Sequence, residues 1–425
     1  MQRHKKATAL RTCAVVLVLM TLMVVAAGAS LAAERTVRVW FAGTPEPFMR
    51  AVNDVLKPAF ETKHPGVRLQ VDFIPWGELS PKLATAFAGG VAPDLFMHGQ
   101  AATASFAAAG QVAPLDDWFA SFSGAADFGA TLNAGSYLGK RYMLPVFGSG
   151  QLLVYRADFF REAGLDPQAP PSTWDELMAA ARKLARHEGA RLIREGIDLP
   201  VRGISAQQVW SPFLWQNGGE LLSSDGTAAA FNTPAGAEAL RFYVSLATDA
   251  AIGTVDEAQP VGNLPPLAAG TVAMSFLPLE VINDIANYAP DVYPHIRVAA
   301  PLRRQTQAAW FSFAGMFVSR QSKEPELARE FLAFLAGEEP LEAIVSALGG
   351  LPPRQSLSRA SFVTKNPAAV AFIQGMAHAR FNPNHPQWVK TRDILVRYIE
   401  QAAFGRLAPD QALAQAEREV NRILR

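Results

Sequence analysis

From Glu34 onward, short β-rich runs alternate with longer runs of helical period, and this alternation constrains the fold more than any single motif does. Val37-Arg38-Val39-Trp40-Phe41 reads as a strand, and residues 47–63 then place Phe48, Val52, Leu56, Ala59 and Phe60 at amphipathic-helix spacing. His64-Pro65-Gly66 stops that helix. Residues 67–74 form a second strand, 81–87 a helix closed by Gly89-Gly90, and Asp94-Leu95-Phe96-Met97 a third strand. The theme returns with a strand at 151–155 and a helix at 158–163. At the next helix, Thr173 and Glu176 have the spacing of a capping box. Gly203-Ile204-Ser205, 271–276, 298–301 and Met316-Phe317-Val318 read as further strands; after Glu324 the chain is helical, at 325–335, 341–348, 367–378, 386–404 and 409–424. Strand-helix-strand units of this kind predict an α/β fold with a mostly parallel sheet and helices on both faces.

The N-terminus has a different character. Arg3, Lys5, Lys6 and Arg11 precede an apolar run from Thr12 to Val25, and small residues follow at Ala27-Gly28-Ala29 and Ser30-Leu31-Ala32. This is the layout of a cleaved secretory signal peptide over residues 1–33, with an uncleaved anchor as the competing reading. The whole chain has net charge +1, but the four Lys/Arg of this segment face no acidic residue, so a mature chain from Glu34 carries 35 basic against 38 acidic residues. The single cysteine, Cys13, leaves with the leader, which excludes disulfides, thiol nucleophiles and cysteine-ligated zinc from the exported chain. The expected compartment is the periplasm. A hydrophobic fraction of 50% excludes intrinsic disorder, and the lack of a basic stripe argues against a nucleic-acid partner.

Catalytic signatures are missing. The seven histidines are scattered, with no HExxH pair. Gly203-Ile204-Ser205-Ala206-Gln207 lacks the last glycine of a nucleophile elbow, and a strand, not a helix, follows Gly148-Ser149-Gly150. Gly43-Thr44-Pro45 after the first strand is not a dinucleotide fingerprint, and no Gly-rich loop ends in Lys-Ser/Thr. No metal or cofactor is expected. Two carboxylates distant in sequence can still meet in space, so a secreted carbohydrate-active enzyme stays open as an alternative. Of eight tryptophans, Trp118 and Trp174 sit at helix starts, whereas Trp40, Trp76, Trp210, Trp310 and Trp388 fall near strand ends or loops, where site residues concentrate. Aromatic faces flanked by directional hydrogen bonds are the chemistry that holds a sugar.

The order of Phe60-Glu61, Pro65-Gly66, Ala92-Pro93-Asp94-Leu95-Phe96, Pro114-Leu115-Asp116, Pro171-Ser172-Thr173-Trp174-Asp175-Glu176-Leu177, Asn217-Gly218-Gly219, Gly350-Leu351-Pro352 and Pro409-Asp410-Gln411-Ala412-Leu413 resembles the extracellular solute-binding proteins of ABC sugar importers. Within that family it resembles the maltose- and glycerol-3-phosphate-binding members. The resemblance covers essentially the whole mature chain. It implies a two-lobed periplasmic-binding-protein fold with discontinuous domains and a hinge: 34–146 with 302–355 as the N-terminal lobe, 147–301 with 356–425 as the C-terminal lobe, and crossovers near 145–149 and 298–301. It also implies a monomer that captures a sugar or oligosaccharide by hinge closure and delivers it to ABC permease subunits, with glycerol-3-phosphate or a glycerophosphodiester as the alternative ligand.

By the same resemblance Thr44 takes the place of an acidic sugar contact, Gln100 that of a Glu holding glycerol hydroxyls, and Ser149 matches a serine of the glycerol-phosphate binder. Trp210 falls near an aromatic platform, and Arg392 aligns with an arginine that contacts phosphate or, alternatively, sugar hydroxyls or Glu280. Glu280 and Gly350 mark departures from the phosphate-binding pattern. Trp76 and His98 complete the expected ligand-binding set.

Overall fold

The computed structural model describes residues 34–249, 252–253, 258–262 and 264–424. The expected leader, 1–33 with Cys13, lies outside them. The main sheet has eight strands: β1 (Arg35–Ala42), β2 (Val67–Ile74), β3 (Leu95–Gly99), β4 (Met143–Arg156), β5 (Met274–Leu277), β6 (Ile296–Val298), β7 (Ala309–Val318) and β8 (Ala379–Arg380). Its order is β6-β4-β7-β3-β1-β2, with β5 also on β4 and β8 on β7. β1 pairs in parallel with β2 and β3, as strand-helix-strand units require. β7 enters antiparallel between β3 and β4, so the sheet is mixed.

The helix predicted over 47–63 forms with a defect in the middle. The α-helical stretches Glu46–Arg50 and Lys57–Lys63 flank a π-helical stretch, Ala51–Leu56, and the Lys57 N–H bonds back to Val52 O. Pro58 explains the register change: it has no N–H to give the previous turn, and its ring crowds the carbonyl four residues back. The helix predicted from 81 begins earlier, as α1 (Trp76–Ala88), with Pro81 inside it. The expected strand at Gly203-Ile204-Ser205 is the first turn of a helix; Gly203 at φ +65° turns the chain into it. α2 (Trp174–Leu184) opens on the predicted capping box, with Glu176 N–H donating to Thr173 Oγ1 at 3.3 Å.

β4 and β7 tie the lobes together. Met143, Leu144, Val146 and Phe147 of β4 pack in a first core with Phe313, Met316 and Phe317 of β7. Beyond the midpoint of the same strands, Leu153, Tyr155 and Trp310 join a second core, and Leu152, Val154 and Phe311 a third. The chain therefore crosses between lobes within β4 and again at Phe311–Phe313 within β7, not at 298–301. The 298–301 segment lies deep in the second lobe because β6 pairs with the far end of β4, and Ala299, Leu302 and Ala308 belong to the second core. Leu351 exchanges two backbone bonds of 2.7 Å with Gly148, and a third crossing follows between Leu357 of the first core and Val363 of the third. Gly315 lets β7 and β4 approach closely, since a Cβ there would lie 2.1 Å from Leu144 O. Among the described residues no helix is long and apolar enough to cross a membrane.

Candidate functional site: a cleft floored by the hinge strands

A cavity of about 500 Å³ lies over the midpoint of β4 and β7, a size suited to a small organic ligand. Strand alternation sets its floor. Along the paired strands, Phe147 faces Ala314, Ser149 faces Ser312 and Gln151 faces Trp310, and all six line the cavity. The intervening pairs, Gly148 with Phe313 and Gly150 with Phe311, point away from it. There the phenylalanine rings cover glycines whose Cβ would collide with them, at 2.9 and 2.6 Å. Gly148-Ser149-Gly150 is thus a flat crossing of the hinge that presents one hydroxyl to the ligand side.

The walls are built from strand C-termini and helix N-termini. The first lobe supplies Thr44 after β1, Trp76 and Ser80 from α1, and His98 at the end of β3. The second lobe supplies the N-terminal two turns of three helices: Ile204, Ser205 and Gln208 from α3 (Gly203–Gln216), Glu280 from α4 (Leu279–Tyr288), and Trp388 and Arg392 from α5 (Trp388–Ala403). Asn382 enters from the chain before α5. Four helix N-termini therefore turn their free N–H groups and positive dipole ends toward the cavity, an arrangement that suits oxygen-rich ligands.

The two walls differ in charge. His98 is buried, its Nε2 lies 3.0 Å from Ser80 Oγ, and its Nδ1 is 3.4 Å from Gly99 O. Burial, and then the Arg392 guanidinium, push its pKa down to about 4, so the ring is neutral. Glu280 lines the cavity and is half-buried there. Burial, with Asp284 adding to it, pushes its carboxyl up to about 7, while Ser149 Oγ donates to Oε2 at 3.1 Å. Arg392 pairs with its exposed neighbour Asp393, Nη2 to Oδ1 at 2.7 Å, and not with Glu280 as the sequence suggested.

Three of the expected ligand contacts lie elsewhere. Trp210 is on α3, but that helix reaches the cavity only as far as Gln208; Trp210 itself is fully buried in the second core. Gln100 is spent on the backbone. β3 ends at Gly99 opposite Ala314, so the next amide of β7 has no strand partner, and Gln100 Oε1 accepts the Phe313 N–H at 3.0 Å. Gly350 packs behind the floor, where a Cβ would meet the Phe147 ring at 2.8 Å and Gly148 O at 3.0 Å. Leu348, two residues earlier, is the lining residue of that turn. Sequence reasoning missed Gln151, Ser312, Gln208 and Asn382 as lining residues. Period-two counting from Ser149 would have found Gln151.

Several lining residues keep buried polar atoms without a protein partner: Gln151 Oε1, Trp310 Nε1 and Trp388 Nε1. Each is costly to leave unpaired, so the cavity favours a ligand that brings both donors and acceptors. Among the described residues no group of three or more His, Cys, Asp or Glu is placed to hold a metal ion.

Two α/β lobes joined by shared strands, with a mixed aromatic and polar cleft at the strand C-termini, are the architecture of a ligand-binding protein. Residues 42–341 match the bacterial extracellular solute-binding protein family, and the chain belongs to that family. A putative binding protein of Brucella abortus is 28% identical over 375 residues, covering 87% of this chain and 89% of that one. The diacetylchitobiose-binding protein DasA of Streptomyces coelicolor is 25% identical over 413 residues, with 94% and 92% covered. Among solved structures, a Thermotoga lettingae ABC transporter solute-binding protein bound with α-D-tagatose superposes with a TM-score of 0.83 at 25% identity, covering 92% of this chain and all of that one. The family and these neighbours are binding proteins.

Proposed function

We propose that the protein is the periplasmic substrate-binding component of an ABC importer, capturing a sugar or short oligosaccharide in the cleft and handing it, chemically unchanged, to the membrane permease. The observation that carries this reading is the lining itself. Trp76, and to a smaller extent Trp310, offer aromatic surface beside neutral hydroxyl and amide groups from Ser149, Ser312, Gln151 and Asn382. Sugars present apolar C–H faces and rims of hydroxyls that match both. Residues from both lobes line the same space, so a ligand touching both favours the closed arrangement and shifts the population toward it. DasA and the Thermotoga protein, whose names state carbohydrate ligands, agree with this class.

A polyol phosphate finds less support, since Arg392 is the one arginine or lysine among the cavity-lining residues and already pairs with Asp393. A two-carboxylate glycosidase finds only Glu280 among the same residues. The test is a thermal-shift panel of mono- and oligosaccharides, polyols and glycerol phosphates on the chain from Glu34, followed by product analysis of every stabilising compound. Stabilisation by a carbohydrate recovered intact is expected. Stabilisation confined to glycerol phosphates, or turnover of the bound sugar, would overturn the proposal. The same preparation, run by size exclusion with light scattering, is expected to be monomeric. A mature N-terminus near Glu34 in the periplasmic fraction is expected, and retention in the membrane would overturn the cleaved-leader assignment.

A further inference from the structure

α3 carries a polar pair where its other buried residues are mostly apolar. Gln207 and Ser211 are both wholly buried, on a helix whose Ala206, Val209, Trp210 and Phe213 belong to the second core. A buried amide costs free energy unless its bonds are made, so packing alone would favour an apolar side chain at 207. The bonds Gln207 makes lead out of the core. Its Nε2 donates to Ser211 Oγ, one turn on, at 2.7 Å and to Asn382 Oδ1 at 2.9 Å. Its Oε1 is left without a partner, so Ser211 and Asn382 alone set how the amide is held. Asn382 lines the cleft, and Gln207 does not.

Asn382 needs such an anchor. β8 ends at Arg380, α5 begins at Trp388, and residues 381–385 between them form neither helix nor strand. A side chain on such a stretch is not fixed by its own element, whereas a bond to a buried helical amide does fix it. The bond also sets polarity. With Oδ1 accepting from Gln207, the Asn382 amide offers its Nδ2 donors to the cleft. Two further buried donors line the same cavity, Trp310 Nε1 and Trp388 Nε1, and neither has a protein partner. The second-lobe side of the cleft therefore favours acceptor oxygens on the ligand.

From this bond and the unpaired donors beside it, we infer that Gln207 is a positioning residue for ligand capture. It does not touch the ligand; it holds Asn382 so that the Asn382 amide donates to one of the ligand's acceptor oxygens. The inference rests on the carbohydrate reading above and adds a specificity-determining pair to it. Isothermal titration of the chain from Glu34 with D-glucose, D-galactose, D-mannose, maltose, cellobiose and mannobiose tests it, the tightest binder of the six serving for the variants. Asn382→Ala is expected to weaken that sugar about tenfold, the worth of one hydrogen bond. Asn382→Asp keeps the shape but replaces the donor with an acceptor, and is expected to lose at least as much. Gln207→Met and Gln207→Leu remove the anchor, and each is expected to lose about three- to tenfold. When Gln207→Met is combined with Asn382→Ala, the loss is expected to equal that of Asn382→Ala alone, because Gln207 acts only through Asn382. A Gln207 with a merely structural role would add its loss to that of Asn382→Ala. Additive losses, Gln207 variants that bind like the wild type, or an Asn382→Asp variant that does so, would each overturn the inference and leave the carbohydrate reading standing. If none of the six sugars binds, the carbohydrate reading itself falls, and the inference with it.

Discussion

The two walls of the cleft are built to different electrostatic plans. The first-lobe wall is neutral: Thr44, Ser80, Trp76 and a His98 ring kept unprotonated by burial. The second-lobe wall carries Glu280 and Arg392, both within the N-terminal two turns of helices. The tryptophans differ in the same direction. Trp388 of the second lobe is wholly buried, whereas Trp76 of the first lobe is 41% exposed. The second lobe therefore supplies the charge a ligand meets, and the first lobe supplies an uncharged face with the exposed aromatic ring.

The largest effect that separates the walls concerns Trp388. Replacing it with alanine empties a large side chain from the second core, and a loss of about 3–5 kcal/mol is expected in denaturant unfolding. An unchanged midpoint would mean that Trp388 belongs to the ligand and not to the core. Next comes Arg392→Ala, expected to weaken ligand binding by roughly ten- to hundredfold, the range for one charge-assisted hydrogen bond. The same variant carries a readout on the opposite wall. Without the guanidinium, the His98 pKa is expected to rise from about 4, yet to stay below 6.5 because burial is its larger cause. An NMR titration of His98 that does not move would show that the walls are not electrically coupled.

These differences between the lobes also mark how far the fold and the site were legible in the sequence. The strand at 67–74 and the helices at 325–335 and 409–424 match the observed Val67–Ile74, Pro325–Leu335 and Pro409–Leu424, because periodicity and Pro or Gly stop signals act locally. Gly203-Ile204-Ser205 misled because a β-branched residue after glycine fits a strand or a first helical turn equally well; the second-lobe core selects the helix. The β7 crossing was invisible because it falls inside one continuous strand, with no turn chemistry to mark it. At the site, the sequence pointed to Thr44, Trp76, His98, Ser149, Glu280 and Arg392, which the fold brings to one cavity. Trp210 and Gln100 went elsewhere for reasons only tertiary structure supplies, namely which face of α3 is covered and where β3 ends.

The walls should also differ in their response to pH. Glu280 has a folded pKa of about 7, above its ordinary 4.5, so the folded state holds a proton that the unfolded chain releases. Its contribution to stability is full below about pH 4.5 and is lost as pH rises through 7. His98 has a folded pKa of about 4, below its ordinary 6.5, so the unfolded chain takes the proton first. Its effect runs the other way, with stability lost as pH falls from 6.5 toward 4. Between 4.5 and 6.5 the two slopes oppose and partly cancel in the wild type. Relative to wild type, Glu280→Gln is expected to lose the fall in stability between about pH 4.5 and 7, and His98→Gln to lose the fall between 6.5 and about 4. Each difference from wild type is on the order of 1–3 kcal/mol across its window. Parallel pH profiles for the two variants would contradict the assignment of opposite protonation behaviour to the two walls.

The smallest expected effect belongs to Trp76. Its indole packs at the rim, edge-on to His98 with ring centroids 6.5 Å apart, and buries too little surface to hold the first lobe together. Trp76→Ala is therefore expected to change unfolding by less than about 0.5 kcal/mol, the usual range for a surface position. Its cost appears only with ligand bound, as a loss of about 0.5–1.5 kcal/mol in affinity from one missing aromatic face. That loss should appear mainly as faster dissociation, with the association rate near that of the wild type. Stopped-flow measurement of both rates decides the point. A slower association with unchanged dissociation would place Trp76 in the first encounter, and the neutral wall would then be the one that receives the ligand.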